Sequence, residues 1–274
     1  MLSDDQLSKY NRLMKFLIQI KAVFLSVFML LFVLFPVCLL AFPLRLENRL
    51  KIVGPVWAFF GRILLRFACH AKLRISEDHR SKEYRGTPCY GLYVSNHQSF
   101  IDIPLMITLY QAPPIMKKEV LNIPIFGWLA WISGALPVSR SSTASRRRVF
   151  AKAKKRILEE RIGIMVYPEG TRSKTAEPKS FKEIKKTLLI FAYNEKIPVV
   201  PTSLYGTRGV LSSRGLIRPG RNIGIIVHKE IHPEDFSSAD EFARKCWDQV
   251  TSGHDQMKAQ LGPLNENLSS ALTR

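Results

Sequence analysis

Hydrophobic residues occur in this chain first as long unbroken runs and then as short segments that alternate with polar ones. Residues 22–42 carry no charge, and Ser26 and Cys38 are their only polar members. As an α-helix this run would be about 32 Å long, close to the thickness of the bilayer hydrocarbon core. It is too long for the apolar region of a secretory signal, and no small-residue cleavage site follows it. The pattern therefore predicts a membrane-embedded helix.

A second apolar run, residues 52–69, contains Arg62 and Arg66. These cations are four positions apart and so share one face of a helix, which is typical of a helix lying in the membrane interface. Basic residues flank the first run on both sides, so the positive-inside rule does not choose an orientation. Two arrangements stay open. Either both helices share one leaflet, or the first spans the bilayer and the second is an ordinary core helix.

From about residue 71 onward, segments rich in β-branched and aromatic residues alternate with segments of helical periodicity. Strands are predicted at residues 90–95, 164–167, 199–204 and 223–227. Helices are predicted at residues 101–110, 145–162, 181–195 and 240–261. This alternation indicates an α/β fold with a mostly parallel sheet flanked by helices, preceded by N-terminal membrane-associated helices. We divide the chain into membrane-associated helices (1–70), an α/β domain (71–261) and a polar C-terminal tail (262–274).

Charge narrows the range of partners. The formal net charge of +19 favours an anionic partner such as nucleic acid, anionic lipid or a phosphorylated substrate. The seven basic residues between Arg146 and Arg156 are interpreted as a solvated helix face rather than a binding patch. We find no nucleic-acid-binding motif and no glycine-rich nucleotide loop, and the four cysteines form no C-x-x-C pair. The sequence therefore predicts no nucleic-acid partner and no metal site.

A histidine and an aspartate follow the first predicted strand of the domain. His97 falls in the strand-to-helix loop, and Asp102 falls in the first turn of the next helix, with Ser99 as the predicted N-cap of a capping box. At this spacing Asp102 can bond one imidazole nitrogen and leave the other to accept a proton. No protein nucleophile is evident, so such a base would act on a substrate hydroxyl. The alternative is that Asp102 only caps the helix and His97 only makes a local hydrogen bond.

A second polar loop follows the strand predicted at 164–167. Gly170 permits a tight turn with positive φ, Thr171 offers a hydroxyl, and Arg172 offers paired donors suited to phosphate. Glu169 could pair with Arg172 or hold a substrate hydroxyl. Loops at equivalent ends of parallel strands face one cleft, so this loop is predicted to meet His97. The alternative is a surface turn with a salt bridge.

Taken together, these motifs make the chain resemble the glycerolipid acyltransferases, and among them the 1-acyl-sn-glycerol-3-phosphate acyltransferases. The resemblance covers roughly residues 90–204. It rests on four motifs in order: Asn96-His97 with Asp102; Lys118-Glu119-Val120-Leu121 with Pro124, Gly127, Gly134 and Arg140; Pro168 to Ser173; and Ile197 to Pro201. The chain departs from the family pattern at Ser139, where aspartate is usual, and at Glu183-Ile184, where a glycine is expected.

The resemblance implies transfer of a fatty acyl group from acyl-CoA or acyl carrier protein to the sn-2 hydroxyl of lysophosphatidic acid, with no cofactor or metal. His97 would be the general base, and Asp102 would orient it. Arg172, with Glu169, Gly170 and Thr171, would bind the acceptor phosphate, and Arg140 would be a second contact. The implied donors place the catalytic domain on the cytosolic face of the membrane. Two alternatives remain open: another lysophospholipid or glycerol 3-phosphate as acceptor, and a non-catalytic basic protein that binds membranes or nucleic acid.

Overall fold

The N-terminal apolar run lies in one long helix in the computed structural model, which describes residues 4–79, 91–124, 126–139, 141–211 and 216–263. An α-helix, α1 (Asp4–Phe28), continues through a π-helical stretch (Met29–Leu34) into α2 (Phe35–Ala41). Pro36 stands in the first turn of α2, directly after the π-helical residues. Among the described residues, one helical segment, Phe16–Ala41, is long and apolar enough to cross a membrane.

The second apolar run returns along the first and is fixed to the α/β domain. It forms α3 (Leu46–Ile63) and a π-helical end (Leu64–Ala68), and it packs against α4 (Asp102–Tyr110). A side chain on Gly61 would come within 2.8 Å of the carbonyl oxygen of Pro104, so the two helix backbones lie unusually close. The opposite face of α3 leaves Ile52 and Phe59 about half exposed. The helix thus packs as a core helix on one face and is apolar on its outer face.

In the described part of the chain, seven strands form two sheets. They are β1 (Lys72–Asp78), β2 (Leu92–Ser95), β3 (Ile115–Lys117), β4 (Leu136–Val138), β5 (Ile164–Val166), β6 (Val199–Tyr205) and β7 (Asn222–Val227). The main sheet has the order β1-β7-β6-β2-β5, and only the β6–β7 pair is antiparallel. Strands β3 and β4 form a separate parallel pair. The mostly parallel sheet predicted from the sequence is confirmed.

Helices cover both faces of the main sheet, as parallel strands require. The remaining helices are α5 (Phe126–Ile132), α6 (Thr143–Lys154) with a π-helical end (Lys155–Glu159), α7 (Thr187–Asn194), α8 (Thr207–Val210) and α9 (Ala239–Leu261), with 3₁₀ turns at Lys118–Asn122 and Pro233–Asp235. One core lies between the sheet and α6, α7 and α9, and a second between the sheet and α4. A third cluster joins α2 and α3 to α5 through Cys38, Trp57 and Leu129.

Several elements differ from the predictions. Strand β1 was not predicted because its residues are polar and mostly exposed, and β3 and β4 are only three residues long. Helix α7 begins at Thr187 rather than at 181, because the preceding turn bonds to another loop: the N–H of Lys185 donates to the carbonyl of Pro168. Residue 90 of the first predicted strand, Arg140 and residues 264–274 of the predicted tail lie outside the described residues.

Candidate active site

The loop that carries His97 is fixed by its neighbour Asn96, directly after β2. The Asn96 side-chain amide donates to the carbonyl of Leu204 at 2.8 Å and accepts from the N–H of Leu204 at 2.8 Å. Leu204 belongs to β6, so this pair of bonds continues the sheet ladder beyond the end of β2. The carboxyl end of β2 therefore presents His97 at a defined position.

Asp102 organises the whole loop through one oxygen. Its Oδ2 accepts hydrogen bonds from His97 Nδ1 at 2.7 Å, from the N–H of Gln98 at 2.6 Å and from the N–H of Ser99 at 2.8 Å. The carboxylate is fully buried, whereas the His97 side chain is 14% exposed. With Nδ1–H donating to Asp102, Nε2 of His97 is the nitrogen left to accept a proton. The predicted bond between His97 and Asp102 is thus present, and their roles as base and orienting partner stay a prediction.

The predicted capping box is only half present. Asp102 accepts from the N–H of Ser99, as in such a box, but Ile101 is the N-cap residue of α4 and makes no side-chain cap bond. The Ser99 hydroxyl accepts the N–H of Ile101 at 3.4 Å and donates to the carbonyl of Leu211 at 3.2 Å. Ser99 therefore caps the turn that leads into α4, as predicted, although α4 itself begins later, and its hydroxyl also holds a neighbouring loop.

Glu169 lies behind His97 rather than on an exposed turn. Its Oε1 accepts the backbone N–H of His97 at 2.8 Å, and the carbonyl of His97 accepts the N–H of Ser173 at 2.7 Å. The side chain is 1% exposed, and Oε2 has no partner among the described residues. Burial raises the pKa of Glu169 to about 7. The two loops predicted to meet are thus joined through the backbone N–H and carbonyl of His97, and the alternative of a surface turn with a salt bridge is excluded for the Glu169 side chain.

The raised pKa of Glu169 predicts a pH-dependent stability. Folding raises this pKa from 4.5 to about 7, so the folded state holds the proton more tightly than the unfolded state does. The contribution to stability is therefore greatest below pH 4.5 and falls as the pH rises towards 7, by up to about 3 kcal/mol in total. Chemical unfolding of the wild type and Glu169→Gln in micelles, between pH 4.5 and 8, should give curves that diverge with pH. Glu183→Gln, at an exposed carboxylate, is the control. Parallel curves for the wild type and Glu169→Gln would refute the shift.

The rest of the second loop faces a cavity. Gly170 has φ +69°, as predicted for the tight turn, and the alkyl chain of Lys185 lies against it. The Arg172 guanidinium lies over the ring of Phe100, 4.1 Å from its centre. Thr171 is exposed. Arg172 is therefore held against Phe100 by a cation–π contact.

One cavity of about 620 Å³ brings these side chains together. His97, Gly170, Thr171 and Arg172 all line it, and so do apolar residues of the N-terminal helices and α4, among them Leu30, Trp57, Phe60, Ile103 and Ile107. Four of the predicted site residues thus share a mostly apolar space whose walls include the N-terminal helices, whereas Asp102 and Glu169 do not line it. Such a space suits a molecule with a polar head and a long apolar chain.

Two residues of this cavity were missed by the sequence interpretation. Lys117, at the end of β3, lines the cavity. The only sign of this in the sequence is that Lys117 directly precedes the motif residue Lys118. Tyr167 stacks on the His97 imidazole with ring centres 4.3 Å apart. Its hydroxyl oxygen is buried without a partner among the described residues, and burial, together with the charge of Asp102, raises its pKa well above 10. Tyr167 therefore stays neutral beside the imidazole.

A buried histidine supports the same loop from α9. The Gln98 side-chain amide lies 3.0 Å from His254 Nε2, and His254 is fully buried. His254 Nδ1 faces Asp255 at 3.2 Å and Glu177 at 3.8 Å, a grouping that has metal-type ligands. However, Lys258 Nζ already lies 2.7 Å from the Glu177 carboxylate. We interpret the group as an ion-pair network that holds Gln98.

Comparisons with known proteins agree with this geometry. An acyltransferase family model matches residues 78–205. A chloroplastic 1-acyl-sn-glycerol-3-phosphate acyltransferase of Arabidopsis thaliana is 32% identical over 168 residues, which cover 60% of this chain and 45% of that protein. The 1-acyl-sn-glycerol-3-phosphate acyltransferase of Salmonella typhimurium is 28% identical over 191 residues, which cover 68% of this chain and 71% of that protein. The matches thus span less than half of the chloroplastic relative.

The fold has a counterpart among solved structures. The crystal structure of the 1-acyl-sn-glycerophosphate acyltransferase PlsC from Thermotoga maritima superposes with a TM-score of 0.76 and 24% identity, covering 92% of this chain and 99% of that one. This likeness establishes the shared architecture, including the placement of helices around the sheet. Residues 78–205, which hold both motif loops, thus match the acyltransferase family, and the relatives to which this chain is similar are 1-acyl-sn-glycerol-3-phosphate acyltransferases.

Proposed function

We propose that this protein transfers a fatty acyl group from a thioester, on CoA or acyl carrier protein, to the sn-2 hydroxyl of lysophosphatidic acid and so forms phosphatidic acid. The observation that carries the proposal is the His97–Asp102 pair, bonded at 2.7 Å, in the same cavity as Arg172 and Lys117. The relatives named above bear this activity in their names. The supporting geometry is an imidazole bonded to a buried carboxylate, in one cavity with cations that suit a phosphate.

The chemistry follows from the free imidazole nitrogen. Nε2 of His97 takes the proton of the acceptor hydroxyl while its oxygen attacks the thioester carbonyl carbon. The buried Asp102 carboxylate stabilises the imidazolium that forms. When the tetrahedral intermediate collapses, the carbon–sulfur bond breaks and the thiolate takes the proton back from Nε2. The products are the new ester and the free thiol, and His97 returns to its starting state.

We assign each part of the substrates a position in the cavity. The Arg172 guanidinium and the Lys117 ammonium bind the phosphate of the acceptor, with Gly170 and Thr171 beside them. Arg140 remains the predicted second phosphate contact. The apolar walls from the N-terminal helices and α4 hold an acyl chain, because burying each methylene gains about 0.8 kcal/mol.

An assay of the purified protein tests the proposal. The protein is given acyl-CoA or acylated acyl carrier protein with a panel of lysolipids, and the products are identified by mass spectrometry. If phosphatidic acid forms with neither of the two donors, the proposal is refuted.

Arg172→Lys is expected to weaken use of the acceptor. Lysine keeps the charge but loses both the paired donors and the stacking on Phe100. The loss of one charge-assisted bond corresponds to about 1.5–3 kcal/mol, or roughly tenfold to over a hundredfold in kcat/KM for lysophosphatidic acid. Steady-state kinetics with each substrate varied in turn would measure it, with Arg147→Lys on α6 as the control. An unchanged acceptor kcat/KM, or a rise confined to the donor KM, would contradict the phosphate role.

Membrane association forms the second part of the proposal, with the catalytic domain on the cytosolic side. The Phe16–Ala41 segment leaves several large apolar side chains exposed, among them Phe24 at 70%, Phe32 at 67% and Leu40 at 80%. Such a surface is unfavourable in water.

Replacing Phe24, Phe28 and Phe32 together by serine is expected to release much of the protein from membranes. These three rings form a stacked row along the exposed side of α1 and the π-helical stretch, so their loss removes a continuous apolar strip. Sedimentation and detergent extraction would measure the bound fraction. A double serine variant at Leu158 and Ile190, which are exposed on the α/β domain, is the control. Equal release from both variants, or recovery of the wild type without detergent, would argue against a specific membrane surface.

A further inference from the structure

A second cavity, of about 430 Å³, lies outside the proposed active site. Four cations line it: Lys118, Arg148, Lys152 and Arg156. We call it the cationic cavity. The segment from β3 to α5 lies between the two cavities, since consecutive residues of this segment line different cavities. Lys117 lines the first cavity and Lys118 the second.

The cations converge because of their spacing. Arg148, Lys152 and Arg156 are four positions apart along α6 and its π-helical end, so they lie on one face, and Lys118 approaches from the 3₁₀ turn opposite. Hydroxyls complete the lining, from Ser139, Ser142 and Ser145. Among the residues that the structure describes, no carboxylate lines this cavity.

Two neighbouring cations on the same helix, Lys154 and Lys155, point away from the cavity and have acidic partners. Lys154 lies 2.6 Å from the Glu195 carboxylate, and Lys155 lies 3.8 Å from that of Glu160. These outward side chains have acidic partners in the chain, as expected for a solvated helix face. The cavity face has cations and hydroxyl donors in its lining, so an anion from outside would relieve the repulsion between the cations. Arg156 is the innermost of these cations: its guanidinium donates to the carbonyl of Gly134, and burial lowers its pKa despite the opposing charge of Glu160.

The position of the cavity identifies the kind of anion. Trp131 lines it and is 47% exposed, and its ring lies 6.2 Å from that of Phe42 at the end of the long N-terminal helix. One turn earlier, Trp128 is 42% exposed and lies 5.3 Å from Phe35. Exposed tryptophans beside an apolar helix mark the level of lipid headgroups. The cavity therefore opens where the apolar surface meets the polar domain.

We propose that the cationic cavity binds the phosphate of an anionic phospholipid headgroup and so holds the protein on anionic membrane surfaces. The hydroxyls and guanidinium groups would bond the phosphate oxygens, and Trp131 would lie against the glycerol and upper acyl region. The inference rests on the membrane association proposed above but not on acyl transfer. It also changes the interpretation of the basic segment from Arg146 to Arg156, whose inner face becomes a binding surface while its outer face stays solvated.

The test uses purified full-length protein in uncharged detergent, titrated with mixed micelles of phosphatidylglycerol or phosphatidylcholine. The double variant Arg148→Gln, Lys152→Gln removes two exposed cavity cations. The matched control, Arg147→Gln with Lys154→Gln, removes the same charge from the same helix outside the cavity. We expect phosphatidylglycerol affinity to fall about tenfold or more in the cavity variant and far less in the control. Lys118→Gln, on the opposite wall, should also weaken it.

Equal losses in the two double variants would show a general surface-charge effect and overturn the proposal, as would no loss in either. Inorganic phosphate and free CoA are added as competitors. Displacement of the lipid by either at comparable concentration would assign the cavity to a soluble phosphate and overturn the lipid source. Acyl transfer measured in uncharged micelles should be unchanged in the cavity variant. A wild type that binds phosphatidylglycerol as expected but has no transferase activity would refute only the proposed reaction.

Discussion

Replacing His97 by alanine is expected to lower acyl transfer by about 10²–10⁴-fold, the usual contribution of a general base. The fold should survive, because the bonds of His97 to Glu169 and Ser173 are made by its backbone N–H and carbonyl and are kept in alanine. The ring also contacts Tyr167, so a small drop in the unfolding temperature is expected. Initial rates of phosphatidic acid formation, together with thermal unfolding curves, would measure both effects.

The control for this variant is His232→Ala, since that imidazole is about half exposed and lies in the loop before the 3₁₀ turn Pro233–Asp235. Its rate should match that of the wild type. Turnover of a purified, folded His97→Ala protein near the wild-type rate would end the proposed mechanism. If His97→Ala loses both activity and the folded state, the role of the imidazole is tested with His97→Gln instead. Glutamine keeps a polar side chain of similar size but cannot act as a base near neutral pH.

Asp102→Asn is expected to lower the rate by up to about 10⁴-fold, and by no more than His97→Ala does. The amide oxygen can take the place of Oδ2 and accept the bonds from His97 and from the amides of Gln98 and Ser99. However, the charge that stabilises the imidazolium is gone. The new amide nitrogen would occupy the place of Oδ1, which is buried without a partner among the described residues, at a cost of about 1–3 kcal/mol in stability.

The double variant distinguishes a shared role from two separate ones. If Asp102 acts through His97, adding Asp102→Asn to His97→Ala should lower the rate little further, since residues that act as a unit are strongly non-additive. The comparison requires kcat/KM for the acceptor in all four proteins and an unfolding curve for each. Losses that multiply would mean that Asp102 contributes to catalysis independently of the imidazole, contrary to the proposed mechanism.

The sequence predicted the elements whose burial leaves a clear pattern. Strands β2, β5 and β6 are apolar because both faces are covered, and their positions were predicted to within a residue or two. Strand β1 is polar because its side chains are mostly exposed, so only its pairing with β7 defines it. Helix α7 begins late because the backbone of residue 185 bonds to a distant loop, and hydrophobic periodicity does not report such a bond.

At the site, the sequence predicted which side chains would meet but not how each is used. Strand-to-loop position placed His97, Asp102 and Arg172 around one cleft, because the carboxyl ends of parallel strands lie together. The position of Glu169 could not be predicted, since a glutamate beside an arginine suggests a pair, whereas its oxygen accepts the N–H of His97. Lys117 enters the cavity through the β3–β4 pair, two strands too short to be recognised from their residues.

The close packing of α3 on the α/β domain has a practical consequence for anyone who wishes to work with a soluble form. Cutting at the predicted boundary after residue 70 would remove Leu30, Trp57 and Phe60, which are walls of the first cavity. It would also bare the α4 surface on which Gly61 rests and the buried face of α5 around Leu129. The truncated chain would exchange one apolar surface for another and lose its pocket. Solubility is therefore better sought by changing outward side chains of the long helix one at a time than by deleting it.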